Sequence, residues 1–158
     1  MKNNFTRSDM NAVKKVINAK NLSLTQSKNV REFENKWSKW LGVKYSTFVN
    51  SGASANFITL AILKFTTKNK TKNEIIVPSL TWISDVSSVI MNGFKPVFVD
   101  INFENLSMDI DQVINKISKK TLAVFITHTL GFNGLNEKLL TNLKKKKIHL
   151  IEDVCESH

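Results

Sequence analysis

The sequence contains very little cysteine, proline and glycine: one, two and five residues in a chain of 158. The single cysteine, Cys155, excludes an intrachain disulfide, and a chain without disulfides is typical of the reducing cytoplasm. No apolar run approaches the roughly 20 residues that a membrane-spanning helix needs. Residues 1–7 also lack the apolar segment of a signal peptide. We therefore expect a cytoplasmic protein without a membrane partner.

Acidic residues are scarce relative to basic ones, with 13 Asp and Glu against 23 Lys and Arg and a net charge of +10. A nucleic-acid partner would require Lys and Arg clustered on one face with aromatic rings between them. Here the lysines are spread along the chain. The one tight run, residues 144–147, lies where a helix is predicted to end and where cations suit the helix dipole. The sequence therefore favours a globular domain and no nucleic-acid partner.

Residues 1–42 are predicted to form an N-terminal helical segment of two helices. Ser8 is expected to cap the first helix, and Gly42 suits the left-handed residue that ends the second. The second helix carries one apolar stripe, formed by Val30, Phe33, Trp37, Trp40 and Leu41. Core packing is the favoured interpretation of this stripe, with contact to another subunit as the alternative.

After Gly42 the pattern changes to strands that alternate with helices. The predicted strands are residues 45–49, 75–77, 97–99, 122–127 and 148–151. The predicted helices between them are residues 53–65, 84–92, 110–117 and 135–146. This alternation is typical of a parallel sheet, and the run 122–126 is apolar on both faces, as in a central strand. We expect a three-layer α/β domain over residues 43–158.

Polar and aromatic residues follow each predicted strand. They are Asn50-Ser51-Gly52-Ala53-Ser54, then Trp82, Asp100, His128 and Glu152-Asp153. The carboxyl ends of parallel strands share one edge of a sheet, which is where ligands bind in such folds. The sequence therefore predicts a ligand site at this edge.

Each element of this predicted site has two interpretations. Residues 51–54 open a helix, so they can bind an anion at its N-terminus or form an ordinary capped turn. Trp82 can stack on a flat heteroaromatic ring or pack in the core. Asp153 can pair with a protonated ring nitrogen or cap a turn. These alternatives stay open on local sequence alone.

Several familiar sites are absent from the sequence. Neither the phosphate-binding pattern G-x-x-x-x-G-K-[ST] nor the dinucleotide pattern G-x-G-x-x-G occurs. His128, His149 and His158 do not have the spacing of metal ligands, and no G-x-S-x-G nucleophile turn is present. We therefore predict no metal site.

Seven segments in order resemble a known family. They are residues 24–26 (Leu-Thr-Gln), 30–34, 41–45, 50–56 (Asn-Ser-Gly-Ala-Ser-Ala-Asn), 76–82, 96–100 and 152–158 (Glu-Asp-Val-Cys-Glu-Ser-His). Together they resemble the DegT/DnrJ/EryC1/StrS family of pyridoxal-phosphate (PLP) enzymes, which act on nucleotide-linked keto sugars. The resemblance covers the chain from about Leu24 to its last residue.

The resemblance implies the fold of the type I PLP-dependent transferase large domain, truncated here, and a homodimer. The residues that it assigns to PLP or pyridoxamine phosphate are Ser51, Gly52, Ala53, Ser54, Trp82, Asp153 and Glu156. Residues 51–54 would lie at the cofactor phosphate, Trp82 would stack on the ring, and Asp153 would keep the ring nitrogen protonated. Glu156 would lie near the phenolic oxygen of the cofactor, at a position where many members have Gln.

The family's Schiff-base lysine lies downstream of the Glu-Asp motif, so we expect the catalytic residue and the C-terminal domain to lie beyond residue 158. The resemblance implies the N-terminal portion of an aminotransferase that moves an amino group from an amino-acid donor to a nucleotide-linked keto sugar. Segments 50–56, 127–133 and 152–158 look closer to the sugar 3-dehydratase branch, which is the first alternative. A catalytically inactive truncated product is the second.

Overall fold

The computed structural model describes residues 4–157. The chain forms two compact units that divide between Phe48 and Val49. The expected division, after residue 42, lies a few residues earlier in the chain. Each unit has its own helices, and the second contains the whole sheet.

The first unit begins with helix α1 (Arg7–Ile17), whose N-cap is Thr6. The Thr6 hydroxyl accepts a hydrogen bond from the N–H of Asp9 at 3.3 Å, and the Asp9 carboxylate accepts one from the N–H of Thr6 at 2.7 Å. This reciprocal pair satisfies two free backbone donors. The prediction that Ser8 caps the helix is therefore wrong, because Ser8 lies within the first turn.

Helix α2 (Lys28–Leu41) ends at Gly42, whose φ of +72° confirms the predicted left-handed residue. The Phe33 and Trp37 rings stack with centroids 5.8 Å apart, and Trp40 lies 4.9 Å from Trp37. Trp40 is 64% exposed and Trp37 is also exposed. The interpretation of this stripe as core packing is therefore wrong for residues 4–157, because the rings contact one another on an exposed surface.

Residues 45–49 do not form the predicted strand. The backbone N–H of Phe48 donates instead to the Glu34 side chain at 2.8 Å, and the hydroxyl of Ser38 donates to that of Ser46 at 2.9 Å. Side chains of α2 thus take the place of a neighbouring strand. Phe48 of this segment also packs edge-on against Phe33 of α2.

The second unit is a parallel sheet with helices on both faces. Its strands are β1 (Glu74–Pro78), β2 (Lys95–Val99), β3 (Thr121–Thr127) and β4 (His149–Asp153), in the spatial order β2-β1-β3-β4. Its helices are α3 (Gly52–Thr66), α4 (Ile83–Met91), α5 (Ile110–Lys116) and α6 (Glu137–Lys146). Except for residues 45–49, the predicted strands and helices are confirmed to within a few residues.

Two apolar clusters lie on opposite faces of the sheet. Leu60 of α3 and Val89 of α4 pack with Phe125 on one face. Val113 of α5 and Leu139 of α6 pack on the other. Successive strand residues point to opposite faces, so β3 is buried on both, as predicted. The three-layer α/β architecture is confirmed.

The strand order creates a crevice at the carboxyl ends of β1 and β3. Strands β1 and β3 are neighbours in the middle of the sheet. The chain runs from β1 outward to β2 at one edge, and from β3 outward to β4 at the opposite edge. Such a reversal leaves a crevice between the two central strands, where ligands bind in open parallel sheets.

Phe125 provides a test of the core. Its side chain is fully buried on β3, whereas Phe103 is 87% exposed. Phe125→Ala in the full-length protein is expected to lower the free energy of unfolding by about 3–5 kcal/mol, because it leaves a cavity. Phe103→Ala, the matched control, should change it by less than about 0.5 kcal/mol in the same urea titration. Equal effects would contradict this packing.

Candidate functional site

A cavity of about 440 Å³ lies at the carboxyl edge of the sheet. Its walls come from the start of α3, from the segments that follow β1 and β3, and from the end of β4 with the turn after it. The lining includes all but one of the predicted cofactor residues: Ser51, Gly52, Ala53, Trp82, Asp153 and Glu156. Ser54 does not line it, although its N–H and hydroxyl both bond to the Ser51 hydroxyl at 3.1 Å.

The N-terminus of α3 forms one wall. Ser51 is the N-cap and its hydroxyl accepts the N–H of Ser54. Gly52 and Ala53 follow as the first helical residues, whose N–H groups have no acceptor within the helix. A Cβ on Gly52 would lie 2.9 Å from the sulfur of Cys155, so only glycine permits this close approach of the turn after β4. The wall combines free N–H groups with the positive end of the helix dipole and suits an anion.

Trp82 forms a second wall as the N-cap residue of α4. Its side chain is 73% exposed, so it is not a core residue. A flat indole surface on a cavity wall can stack on an aromatic ligand.

Asp153 lies at the end of β4, and its side chain is held by two donors. Its Oδ2 accepts from the Asn56 amide at 2.8 Å, and its Oδ1 accepts from the Cys155 N–H at 2.9 Å. Burial alone would raise the pKa of Asp153, but the hydrogen bonds from Asn56 and Cys155 outweigh burial and hold it below its usual range. The carboxylate is therefore ionised at neutral pH and also caps the turn that begins at Val154.

Asp85 on α4 is a site residue that the sequence did not reveal. Its side chain is 0% exposed, and its Oδ1 accepts from the same Asn56 amide at 2.8 Å. Its Oδ2 is bonded to the hydroxyls of Thr81 and Thr127. The signal for Asp85 was present, because it stands four residues before Val89 on the apolar face of a predicted helix. A carboxyl at that position must find buried partners.

Three other rim residues do not line the cavity. The buried His128 accepts the Gly134 N–H at Nδ1 (3.3 Å), so its Nε2 carries the proton and donates to Glu152 at 3.0 Å. Asp100 accepts the N–H of Ile101 at 2.8 Å. These side chains therefore hold loops in place beside the cavity.

Glu156 lines the cavity but is not free. Its carboxylate accepts the N–H of Leu130 at 2.6 Å, in the turn that follows β3. Leu130 has a φ of +54°, which is uncommon for a branched residue. The Glu156 contact stabilises that backbone and ties the turn after β3 to the turn after β4.

Metal clusters and membrane-spanning helices are both absent from residues 4–157. No group of three or more His, Cys, Asp or Glu side chains in this part of the chain is placed to hold a metal ion. No helix of the same residues is long and apolar enough to cross a membrane.

The fold and the cavity define an α/β protein with a cavity at the switch point of a parallel sheet. A sequence model described as the DegT/DnrJ/EryC1/StrS aminotransferase family matches residues 3–158. The chain belongs to this family.

Curated relatives include enzymes of two kinds. The chain is 32% identical over 151 residues to a GDP-4-keto-6-deoxy-D-mannose 3-dehydratase of Yersinia pseudotuberculosis, covering 94% of this chain and 38% of that protein. It is 31% identical over 133 residues to a GDP-perosamine synthase of Vibrio cholerae, covering 84% of this chain and 35% of that protein. The chain thus spans well under half the length of these relatives.

Solved structures that resemble this chain belong to enzymes of similar kinds. The E. coli GDP-4-keto-6-deoxy-D-mannose-3-dehydratase with bound hydrated PLP superposes with a TM-score of 0.89 at 30% identity, covering 99% of this chain and 40% of that one. PseC of Helicobacter pylori, an aminotransferase involved in the biosynthesis of pseudoaminic acid, gives 0.85 at 26% identity, covering 97% and 40%. The chain corresponds to about two fifths of each structure.

The Asn56 bridge can be tested through Asp153. Asn56→Ala in the full-length protein is expected to raise the pKa of Asp153, because burial then acts with one fewer donor to oppose it. The pKa is measured by the pH dependence of the Asp153 carboxyl ¹³C shift. Asn142→Ala on α6, whose amide donates to a backbone carbonyl of its own helix, should leave the pKa unchanged. A pKa of Asp153 that stays the same in Asn56→Ala would show that the bridge does not control it.

Proposed function

We propose that the protein containing this chain is a PLP-dependent enzyme that transfers an amino group from an amino acid to a nucleotide-linked keto sugar. The observation that carries the proposal is the ionised, buried Asp153 in the same cavity as the Trp82 ring and the free N–H groups of α3. An anion site, a flat surface and a fixed carboxylate are the features needed to hold a phosphorylated pyridine. Family membership and the PLP named in one structural relative support it.

The residues present fit this cofactor. A cavity of about 440 Å³ is within the ordinary range for small-molecule sites. Residues 51–54 would bind the phosphate, Trp82 would cover one face of the ring, and Asp153 would hold a proton on the ring nitrogen. When bound, PLP would supply an electron sink for the substrate carbon that bears the transferred amino group.

The residues of this chain would bind the cofactor and orient it. Asp153 is fixed from two sides, by Asn56 and by the N–H of Cys155, so its orientation is set before a ligand arrives. Trp82 would exclude water from the ring face that it covers. Glu156 would place a negative charge beside the site while holding the turn at Leu130.

The proposal extends to domain organisation and assembly. Residues 43–158 would form the N-terminal part of the cofactor-binding domain of a cytoplasmic homodimer, preceded by the helical segment over residues 1–42. The exposed aromatic stripe of α2 supports dimerisation, since large apolar surfaces are commonly covered by a partner. The proposed catalytic lysine would lie beyond residue 158.

A 3-dehydratase acting on a nucleotide-linked keto sugar is the second candidate. The observation that favours it is the 32% identity to the Yersinia 3-dehydratase, which extends over 94% of this chain. Both candidates would use the same cofactor site.

The role of Asp153 can be measured by cofactor affinity. Asp153→Asn in the full-length protein should weaken PLP binding by about 10- to 100-fold, because a charged hydrogen bond contributes about 1.5–3 kcal/mol. Equilibrium dialysis gives the dissociation constant. Asp100→Asn, the control, removes a carboxylate that follows β2 and does not line the cavity, and it should bind PLP normally. An Asp153→Asn variant with the affinity of the unmodified protein would contradict the assignment.

The products distinguish the two reactions. Full-length protein with PLP, L-glutamate and GDP-4-keto-6-deoxy-D-mannose is expected to yield a sugar nucleotide in which an amino group replaces the keto oxygen, detected by mass spectrometry. A product that has lost a sugar hydroxyl would identify the dehydratase instead. Unchanged sugar nucleotide would count against both reactions on this substrate.

A further inference from the structure

Three oxygen atoms form a closed ring at the cavity wall, where Thr81 and Thr127 line the cavity. The hydroxyls of Thr81 and Thr127 are 2.7 Å apart, and the Thr127 hydroxyl is 2.7 Å from Oδ2 of Asp85. The Thr81 hydroxyl is also hydrogen-bonded to the same Oδ2. Each oxygen is therefore within hydrogen-bonding distance of the other two.

The ring requires three protons. Each short O···O contact needs one hydrogen between its two oxygens, and each threonine hydroxyl supplies one. An ionised carboxylate supplies none, so two hydroxyls bonded to it would leave Thr81 and Thr127 in contact without a hydrogen between them. A protonated Asp85 supplies the third hydrogen, and every oxygen then donates once and accepts once.

The surroundings of Asp85 also disfavour a second negative charge beside that of Asp153. The amide of Asn56 joins Asp85 to Asp153 with 2.8 Å bonds to each, so two buried carboxyl groups share one neutral donor. None of the ion pairs within residues 4–157 involves Asp85 or Asp153. Two carboxylates that lie together without a cation do not both ionise readily.

The groups that act on Asp85 come from several elements. Asn56 belongs to α3, Thr127 to β3 and Asp153 to β4, and the Cys155 thiol lies beyond Asp153. Burial raises the pKa of Asp85 and the charge of Asp153 adds to this, while the hydroxyl bonds oppose it. Asp153 in turn raises the pKa of the Cys155 thiol, which keeps that group neutral.

We propose that Asp85 is a neutral carboxylic acid at neutral pH, held in a ring with Thr81 and Thr127, and that the pair's single negative charge therefore resides on Asp153. Asp85 is thus a positioning residue that acts on the site through Asn56. The protonation state of Asp85 depends only on residues of the protein. Its consequence for cofactor binding rests on the proposed function, because the pair's one negative charge would match one protonated ring nitrogen.

Infrared spectroscopy of the full-length protein without cofactor tests the protonation state. Asp85→Asn places an amide donor where the acid O–H would lie, so it can keep the ring intact. At pH 7 the variant is expected to lose a neutral carboxylic-acid C=O band. Asp111→Asn, at an exposed position on α5, should lose a carboxylate band instead. Loss of a carboxylate band in Asp85→Asn would overturn the proposal, whether or not PLP binds.

Two readouts complete this test. The folded protein would retain a proton on Asp85 that the unfolded chain releases near pH 4, so its stability should fall as pH rises above that value. The unfolding free energy of Asp85→Asn minus that of the unmodified protein should rise with pH and then level off above the pKa of folded Asp85. The carboxyl ¹³C titration of Asp153 should be nearly unchanged in the variant. A flat or falling difference, or a strongly lowered pKa of Asp153, would mean that Asp85 is charged.

Discussion

One amide group holds together the edge of the sheet at which the cavity lies. The side chain of Asn56 on α3 donates to Asp85 on α4 and to Asp153 at the end of β4, so elements distant in sequence meet at a single group. Buried carboxyl groups are tolerated only when donors satisfy them. The amide meets that requirement without adding charge, and it allows an acidic site to form within a chain whose net charge is +10.

The position of the site follows from the order of the strands. Because β1 and β3 are neighbours while the chain leaves them in opposite directions, their carboxyl ends open a crevice. Thr81 and Thr127 follow or end these two strands, and both bond to Asp85. The ring formed by these two hydroxyls and the Asp85 carboxyl therefore connects the two sides of the crevice.

The rim contains polar residues with two kinds of role. Asp153 and Trp82 line the cavity, whereas His128 and Asp100 bond to nearby backbone and stabilise loops. All four lie at the carboxyl end of a strand or shortly after it, so position along the chain does not separate them. The separation depends on the tertiary structure, because only the folded arrangement decides which of these side chains lines the cavity.

Local sequence patterns were enough to predict the three-layer fold, since hydrophobic periodicity and strand–helix alternation are local properties that burial enforces. They also located Trp82 and Asp153 near one edge, because parallel strands end together. Residues 51–53 reach that edge as the N-terminus of α3, and Glu156 was assigned by the family resemblance. The local patterns misplaced a strand at residues 45–49, where side chains of α2 replaced a neighbouring strand. Only the three-dimensional structure showed that Asn56 joins Asp85 to Asp153 and that the apolar stripe of α2 is exposed to solvent. Hydrogen bonds between residues up to 97 positions apart depend on the packing of whole elements, which no local pattern encodes.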